Sequence, residues 1–380
     1  MAARMTHESS DRGSPGEATL RRRMVAVPVT VGLIALCAVA FTSSLAICAT
    51  RAEDPAAVVA GSWLQLESCG DTLAGMGALR LADLWIDGSW WRVITAGLLH
   101  GSWLHLVLNS WSTWVVGEWV ETTWGHARAT LIFLVSSTLG CLASAAWVEA
   151  PMVVGASAGI MGMAGALLVG RLFGRGVVSS KLRPLSAGVL GVSVALMVGL
   201  GFVVEVIAQA GHLGGLVAGA LLGLAWSGRG AVARMAGWAG LVGLTAALVV
   251  AARQPEWRPR YDEILGYGQL ERGMDAEAAA AFERALARRP EDTELANAVA
   301  YGLAKAGRQL DRAEALVRRA LETEPENPDY LDTLGWIACR RGDVEAGMVE
   351  LRRASEASGG EIEEIEKHLE ECAGAEVKGE

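Results

Sequence analysis

Long apolar runs fill the chain from Met24 to about residue 252. Each approaches the ~20 residues that a helix needs to cross a bilayer, and their dense glycine is typical of closely packed membrane helices. The runs lie at about 24–50, 103–120, 129–148, 152–172, 184–204, 206–226 and 235–252. The pattern predicts an all-α fold, a polytopic membrane helical bundle of seven spans over residues 24–252, with only a short link around Glu205 between the fifth and sixth.

Two polar segments flank the first apolar run. Residues 1–23 form a tail that ends in three arginines, and we expect it to be disordered and cytoplasmic. The run after it exceeds the roughly 7–15 residues of a signal-peptide core, so we expect a retained anchor rather than a cleaved signal. A long outer loop at about 51–102 then separates the first two spans.

The pattern changes after Arg253, where a proline-containing linker at 253–260 leads into soluble, amphipathic helices at 261–358. Large apolar residues recur there at intervals of 35 and 34, namely Phe282, Val317 and Leu351. This spacing resembles tetratricopeptide repeats, whose stacked helix pairs form a concave surface for peptides. An unrelated helical domain is the alternative. Residues 359–380 are predicted to form an acidic C-terminal helix and tail.

Composition adds to this picture. The 380 residues are 52% hydrophobic and their mean hydropathy is +0.32, which is high for a soluble protein. The net charge of −9 does not describe the apolar region and the C-terminal region equally, since most acidic residues follow Arg253. The sequence has no basic tract with interleaved aromatic residues, so we expect no nucleic acid partner. The six cysteines lack metal-ligand spacing, so we expect no metal and no cofactor.

Basic residues in the short loops predict the orientation. Alternate loops contain them, namely Arg128, Arg171, Arg175, Lys181, Arg183, Arg229 and Arg234. In the two other short links, the charged residues are Glu149 and Glu205, and neither link contains Lys or Arg. Cytoplasmic loops carry the excess of Lys and Arg, so the amino terminus is expected in the cytoplasm.

The seventh run then decides where the C-terminal repeats lie. Seven crossings from a cytoplasmic start place the repeats outside, most simply at a bacterial inner (plasma) membrane. Basic residues just after the run oppose this exit by the same charge rule; they are Arg253, Arg258 and Arg260. An outside location would also permit a Cys339–Cys372 disulfide.

Four polar residues in the apolar runs carry the candidate chemistry. Ser157, flanked by small residues, is by itself more typical of helix packing than of catalysis. Imidazole, however, is costly in hydrocarbon and faces a protein interior or a wet cavity there. His105 and Asn109 share one face of the second span, and His212 lies early in the sixth. Because the second, fourth and sixth spans all start at the outer face, these groups reach one level, roughly 8–10 Å deep.

This arrangement predicts a hydrolytic site inside the bilayer. A serine hydroxyl needs a base, most often histidine, and acyl transfer needs donors aimed at the developing oxyanion. Small faces on the fourth and sixth spans would let the two backbones approach, so that Ser157 and His212 can form a hydrogen bond. The glycines of these faces are Gly155, Gly159, Gly162, Gly215, Gly219 and Gly223.

The motifs occur in a fixed order, namely Trp91-Arg92, His100, His105-xxx-Asn109, Gly155-x-Ser157 and His212-xx-Gly215-xxx-Gly219. Over about residues 80–226 this order resembles the rhomboid intramembrane serine proteases. The resemblance implies a six-helix core, here followed by a seventh span, with Ser157 as nucleophile and His212 as base. The oxyanion would be stabilised by His105, Asn109 and the Ser157 amide. One departure is Ala158, which follows the serine where the family usually has glycine.

The remaining motif residues are expected to support the structure, namely Trp91, Arg92, Gly155, Gly159, Gly215 and Gly219. We therefore predict an intramembrane serine endopeptidase that cleaves single-span or polytopic membrane proteins near the outer face of the lipid bilayer. The repeat domain would bind a peptide or protein partner, or the substrate. The alternative is a non-catalytic rhomboid-like scaffold or chaperone with a peptide-binding repeat domain.

Overall fold

The computed structural model describes residues 26–52, 54–63, 69–148, 150–200, 209–253 and 255–376. The expected tail at 1–23, the links at Glu149 and Glu205, and the last four residues lie outside them. In the described part the chain is helical apart from two short strands, which agrees with the all-α prediction.

The chain divides into two compact units. We call the first the membrane unit; it comprises the described residues up to Leu79, then Trp91–Ala146 and Met152–Ala252. The second, the repeat unit, comprises Arg80–Trp90, Trp147–Pro151 and the described residues from Arg253 onward. Two segments from the long outer loop and from the third interhelical link thus belong with the soluble repeats.

The amino-terminal helices and the loop elements come first in the chain. They are α1 (Pro28–Arg51), α2 (Pro55–Gly61), α3 (Gly70–Gly75), strand β1 (Leu79–Arg80), α4 (Leu81–Ile86), α5 (Arg92–Thr95) and a 3-10 turn (Ala96–Leu98). Strand β2 (Met152–Val153) pairs with β1. A disulfide between Cys48 and Cys69 joins the last turn of α1 to the residue before α3, a pairing that the spacing of the cysteines did not predict.

Apart from the short α9, the remaining helices of the membrane region overlap the predicted apolar runs. They are α6 (Trp103–Trp124), α7 (His126–Trp147), α8 (Ser157–Phe173), α9 (Gly176–Leu182), α10 (Ala187–Leu200), α11 (Gln209–Ser227) and α12 (Ala231–Arg253). By length and apolarity α1, α7, α11 and α12 can each cross a membrane, and α8 with α9 qualifies as a pair bent by 110°. These are the helices of a multi-pass integral membrane protein. The count of seven spans stays a prediction, because α10 is shorter and α6 carries several polar or ionisable residues, among them His105, Asn109, Glu118 and Glu121.

A buried carboxylate joins α1 to α6. Glu121, near the carboxyl end of α6, is 2% exposed. It accepts hydrogen bonds from the Val29 and Thr30 amides and from the Thr30 hydroxyl at 2.7–2.9 Å. The first amides of a helix have no partner within the helix, and the positive end of the helix dipole favours an anion. Glu121 therefore caps the start of the first span.

The repeat unit consists mainly of successive antiparallel helices. They are α13 (Tyr261–Leu270), α14 (Asp275–Arg288), α15 (Thr293–Lys305), α16 (Leu310–Thr323), α17 (Pro328–Arg341), α18 (Val344–Ser358) and α19 (Glu363–Glu376). The three recurring large residues, Phe282, Val317 and Leu351, are each fully buried, which confirms that they form the core. A Cβ at Gly266 would lie 2.6 Å from the Phe282 ring, and one at Gly335 would lie 2.8 Å from Leu351, so the first and third helix pairs pack alike.

The last helix is fixed to the third pair in two ways. The Cys339–Cys372 disulfide that the sequence permitted is formed, and it joins α17 to α19. Nearby, His368 Nδ1 lies 2.9 Å from both carboxylate oxygens of Asp332, and its ring stacks on Trp336 at 4.3 Å. Helix α19 therefore covers the end of the repeat core.

Candidate active site

Ser157 is the first residue of α8. The apolar run begins earlier, but β2 and an extended turn occupy its first residues, so the helix starts later than the sequence predicted. Ser157 is half-buried. The first amides of a helix lack partners within the helix, and together with the helix dipole they favour negative charge. A serine at this position has its own amide available for an anion that develops beside its hydroxyl.

Gly155 brings the polar face of α6 against the segment that leads into Ser157. A Cβ there would lie 2.7 Å from His105 Cε1, 2.8 Å from His105 Nε2 and 3.8 Å from Asn109 Nδ2. Its φ of +124° is also a conformation that favours glycine. The Gly155 amide donates to the Ala96 carbonyl at 3.0 Å. Only glycine fits this position, and its lack of a side chain lets His105 and Asn109 approach the Ser157 segment.

Small residues hold α8 and α11 together in register. A Cβ at Gly215 would lie 2.1 Å from the Ala158 carbonyl oxygen, and one at Gly219 would lie 1.9 Å from that of Gly162. One turn further on, Gly223 faces Ala166. The constant offset shows that the two helices run parallel, as two spans that start at the same membrane face must.

The parallel register places His212 and Ser157 at the same end of the helix pair. His212 lies one turn before Gly215, and Ser157 immediately precedes Ala158, which Gly215 contacts. His212 is 6% exposed. Its Nδ1 atom has no hydrogen-bond partner among the described residues. The imidazole is thus buried beside the α8 amino terminus without an acidic group on Nδ1 to orient it.

The face of α8 toward α11 differs from the expected one. The sequence predicted contact through Gly155, Gly159 and Gly162, but Gly159 faces α7, where its Cβ would lie 2.6 Å from the Phe133 ring. Gly165 lies against Leu216 of α11, and the α8 residues that face the α11 glycines are Ala158, Gly162 and Ala166. Their spacing of four along the helix is visible in the sequence, but alanine contributes to it twice, and a search for glycine alone misses it.

Ala158 fits its position because α7 supplies a glycine. A Cβ at Gly140 would lie 2.5 Å from the Ala158 methyl group and 2.6 Å from the Gly211 carbonyl oxygen. Helices α7, α8 and α11 therefore converge at this point. The Ala158 methyl group, which the usual glycine of the family would lack, occupies space left by Gly140. Gly140 is a site residue that the sequence analysis missed.

Asn109 offers an unused donor. Its side chain is 7% exposed, and its Nδ2 atom has no partner among the described residues. Buried polar groups are nearly always hydrogen-bonded, and an unpaired donor costs roughly 1–3 kcal/mol. A carbonyl oxygen bound beside Ser157 would satisfy this group, which is the arrangement that oxyanion stabilisation requires.

His100 packs against His105. It is fully buried, and the two ring centroids lie 5.0 Å apart in an edge-to-face arrangement. Burial, with a smaller contribution from His105, lowers the pKa of His100 to about 3. The ring is therefore neutral at physiological pH and packs against His105 without adding charge.

Trp91 and Arg92 anchor the outer loop. Arg92 Nη1 donates to the Ala78 carbonyl at 3.0 Å and also to the Ala74 carbonyl. The Arg92 guanidinium lies 4.8 Å from the Trp91 ring centre. The structure therefore gives this pair contacts within the loop, in keeping with the supporting role that the sequence suggested.

Comparisons with known proteins find rhomboid relatives. The family model described as the Rhomboid domain matches residues 87–229. Rhomboid protease GluP of Bacillus subtilis (strain 168) is 35% identical over 162 residues, which are 42% of this chain and 31% of that protein. RHOMBOID-like protein 6, mitochondrial, of Arabidopsis thaliana is 34% identical over 40% of this chain and 48% of its own length. The chain thus spans less than half of these two relatives.

Two further comparisons cover more of the matched protein. The TPR2AB-domain:pHSP90-complex of yeast Sti1 covers 70% of this chain and 96% of its own, but at 15% identity and a TM-score of 0.27 it supports no conclusion. Putative rhomboid protease YdcA of Bacillus subtilis (strain 168) is 32% identical over 139 residues, which are 67% of that protein. With the Rhomboid domain matched and this relative covered over two thirds of its length, the chain belongs to the rhomboid family.

Proposed function

We propose that this chain is an intramembrane serine endopeptidase with Ser157 as nucleophile and His212 as general base. The observation that carries the proposal is the contact of Gly155 with His105 and Asn109, two residues before a serine that starts a helix. The parallel register of α8 and α11 supports His212 as the partner of Ser157, because it brings the buried imidazole to that end of the helix pair.

The reaction follows from the groups present. His212 takes the Ser157 hydroxyl proton as Oγ bonds to the carbonyl carbon, and the carbonyl π electrons move to its oxygen. Asn109 Nδ2, His105 and the Ser157 amide donate to that oxyanion. The carbon–nitrogen bond then breaks while the His212 imidazolium gives its proton to the leaving amine. Water repeats the sequence and releases the acyl group from Ser157.

The proposed substrates are membrane proteins cut near the outer face of the bilayer. A helical peptide bond is shielded by its own hydrogen bonds, so we expect cleavage where helix-breaking glycine or proline unwinds the substrate. Mapping the cut by mass spectrometry checks this expectation. Cleavage at the cytoplasmic end of a span would contradict it.

We further propose that the outer loop and the repeats lie outside the cytoplasm. Disulfides persist in oxidising compartments and are rare in the cytosol. One disulfide joins the last turn of α1 to the outer loop, and the other lies in the repeats. The basic residues that opposed this exit also have partners. The Arg253 guanidinium lies 5.9 Å from the Trp90 ring centre, and that of Arg258 lies 4.1 and 3.8 Å from those of Trp147 and Trp257.

The repeats are proposed to be tetratricopeptide-like and to bind a peptide or protein partner. Their helix pairs and the matching contacts of Gly266 and Gly335 support this assignment. A cavity of about 270 Å³ opens between α16, α17 and α18. The cavity is lined by apolar and by charged residues. The apolar ones include Leu334, Ile337 and Ala346, and the charged ones include Glu314, Arg318 and Arg341. Such a surface in the compartment of the active site would raise the local concentration of a bound substrate.

Labelling with a serine-directed fluorophosphonate tests the proposal against the non-catalytic scaffold. The full chain in lipid nanodiscs should be labelled, and Ser157→Ala should abolish both labelling and cleavage of a single-span substrate. Ser144→Ala is the matched control, since Ser144 is a buried hydroxyl on α7, and it should leave both intact. Cleavage that survives Ser157→Ala would overturn the assignment.

A further inference from the structure

Helix α4 of the outer loop belongs to the repeat unit. Trp85 meets Tyr261 of α13 edge to face with ring centres 4.8 Å apart. Gly268 of α13 packs directly on Ala82, because a Cβ at Gly268 would lie 2.2 Å from the Ala82 methyl group. The loop helix is therefore closely packed against the first helix of the repeats.

Arg272 secures this contact through charge. Its Nη2 atom lies 2.6 Å from Asp83 Oδ1, its Nε atom lies 3.2 Å from Asp87 Oδ1, and its Nη1 atom donates to the Gly268 carbonyl at 2.6 Å. Asp83 is 2% exposed. Hydrogen bonds between charged groups are stronger than neutral ones, and a buried carboxylate is costly once its partner is removed. One guanidinium thus connects two positions of the loop to the end of α13.

A second pair reinforces the first. Arg80 lies 2.8 Å from Asp83 and 3.0 Å from Glu271, the residue beside Arg272. Asp83 therefore receives an arginine from each side, one from the loop and one from the repeats. This arrangement fixes the start of α4 as well as its end.

The fixed loop segment continues in both directions toward the candidate nucleophile. At its start, the Leu81 amide donates to the Pro151 carbonyl at 2.9 Å, and Pro151 shortly precedes Ser157 in the chain. At its end, the chain passes through α5 to Ala96, whose carbonyl accepts the Gly155 amide at 3.0 Å. Both routes reach the segment that leads into Ser157.

We propose that Arg272 is a positioning residue for the protease, which acts by holding α4 and thereby the two chain segments that lead to Ser157. This inference rests on the proposed function. It gives the Arg272–Asp83 contact a role beside partner binding by the repeats. A misplacement of about 1 Å by a distant change can lower a rate 10²-fold.

Arg272→Met tests this role, with Arg312→Met as the matched control. Arg312 is also a repeat-unit arginine, but it pairs with Glu283 at the surface. In the full chain in nanodiscs, we expect Arg272→Met to lower both kcat and the rate of Ser157 labelling by a small fluorophosphonate about 10- to 10²-fold, with KM changed less. Arg272→Lys should restore part of the loss, because lysine keeps the charge but lacks the planar fork. Arg312→Met should match wild type.

Two further measurements keep the outcome decisive. Gly268→Leu should separate α4 from α13 without a charge change and give the same loss. Hydrogen exchange of residues 81–86 reports release of α4 directly. Release of α4 with a wild-type labelling rate overturns the inference, and so does a raised KM with unchanged kcat, which would assign the repeats to substrate holding alone. A wild-type chain that neither labels at Ser157 nor cleaves overturns the proposed function as well.

Discussion

Each unit of this chain buries one histidine in a helix and pairs it differently. In the repeat unit, His368 is 5% exposed, with Nδ1 on the Asp332 carboxylate and its ring on Trp336. In the membrane unit, His212 is 6% exposed, yet its Nδ1 has no partner among the described residues. The two imidazoles are thus equally buried but unequally paired, and on the proposed function the unpaired one is the group that transfers a proton.

A similar contrast holds between one further buried polar group of each unit. In the repeats, the buried Asp262 carboxylate meets Arg284 and Arg288 at 2.8 Å each. Near Ser157, the Asn109 amide is left unpaired. Functional sites are expected to carry such local costs, because the ligand rather than the fold satisfies them.

The largest expected effect comes from exchanging the two histidines for alanine. His212→Ala should lower cleavage by about 10⁴-fold or more, as loss of a catalytic base does in serine hydrolases, and should leave unfolding of the repeats unchanged. His368→Ala should leave Ser157 labelling intact below the melting temperature, but should destabilise the repeats by about 3–5 kcal/mol, because Asp332 stays buried without its partner. Cleavage assays and thermal unfolding measure the pair. Full activity in His212→Ala would show that His212 is not the catalytic base and does not differ in role from His368.

The next effect concerns the unpaired amide. Asn109→Ala should lower kcat about 10²- to 10³-fold, the usual cost of one oxyanion donor. The melting temperature should not fall, because the amide Nδ2 donates no hydrogen bond to the described residues. A variant that loses stability in step with activity would show that Asn109 is structural, as His368 is.

A smaller effect is expected at the repeat disulfide. Cys339→Ser with Cys372→Ser opens a link across 33 residues and should cost the repeats about 2–4 kcal/mol. Cleavage by the folded variant should stay near the wild-type rate, since the bond lies away from the contacts of α4. Denaturant unfolding measures the loss. Free Cys339 and Cys372 thiols in the unreduced, purified chain would contradict the proposed location outside the cytoplasm.

The smallest expected effect is at Ala158. Ala158→Gly removes a methyl group that packs beside Gly140 and adds the backbone cost of glycine, roughly 0.5–1 kcal/mol. Because the methyl group already fits, we expect cleavage within about threefold of wild type. This range corresponds to less than ~1 kcal/mol. A large gain in rate would show instead that Ala158 limits the site.

The spacing of apolar residues along the sequence predicted the features that depend on nearby residues. The apolar runs contain the membrane helices, and the spacing of Phe282, Val317 and Leu351 marks the repeat core. The motif order identified the family because each motif is a short string. The start of α8 at Ser157 was less accessible, since β2 and the turn before it are as apolar as the helix.

Contacts between segments far apart in the chain could not be predicted from the spacing of residues. Asp83 and Arg272 are 189 residues apart, and neither belongs to a recurring motif, so the packing of α4 on α13 appears only in the folded chain. The pairing of Cys48 with Cys69 likewise has no spacing signature. The match of Gly140 to Ala158 depends on the rotation of two helices, which their composition does not determine.

The Glu121 carboxylate has a consequence for how the membrane unit assembles. The first span is synthesised before α6. The Val29 and Thr30 amides at its start therefore have no partner until Glu121 has been made. Until the two helices meet, the Glu121 carboxylate lacks the three donors that α1 gives it in the folded chain. Their encounter satisfies the carboxylate and the Val29 and Thr30 amides in one step. A chain shortened to begin after α1 would therefore lack more than an anchor, because Glu121 would lose its three hydrogen bonds from Val29 and Thr30 and keep its contact with His126.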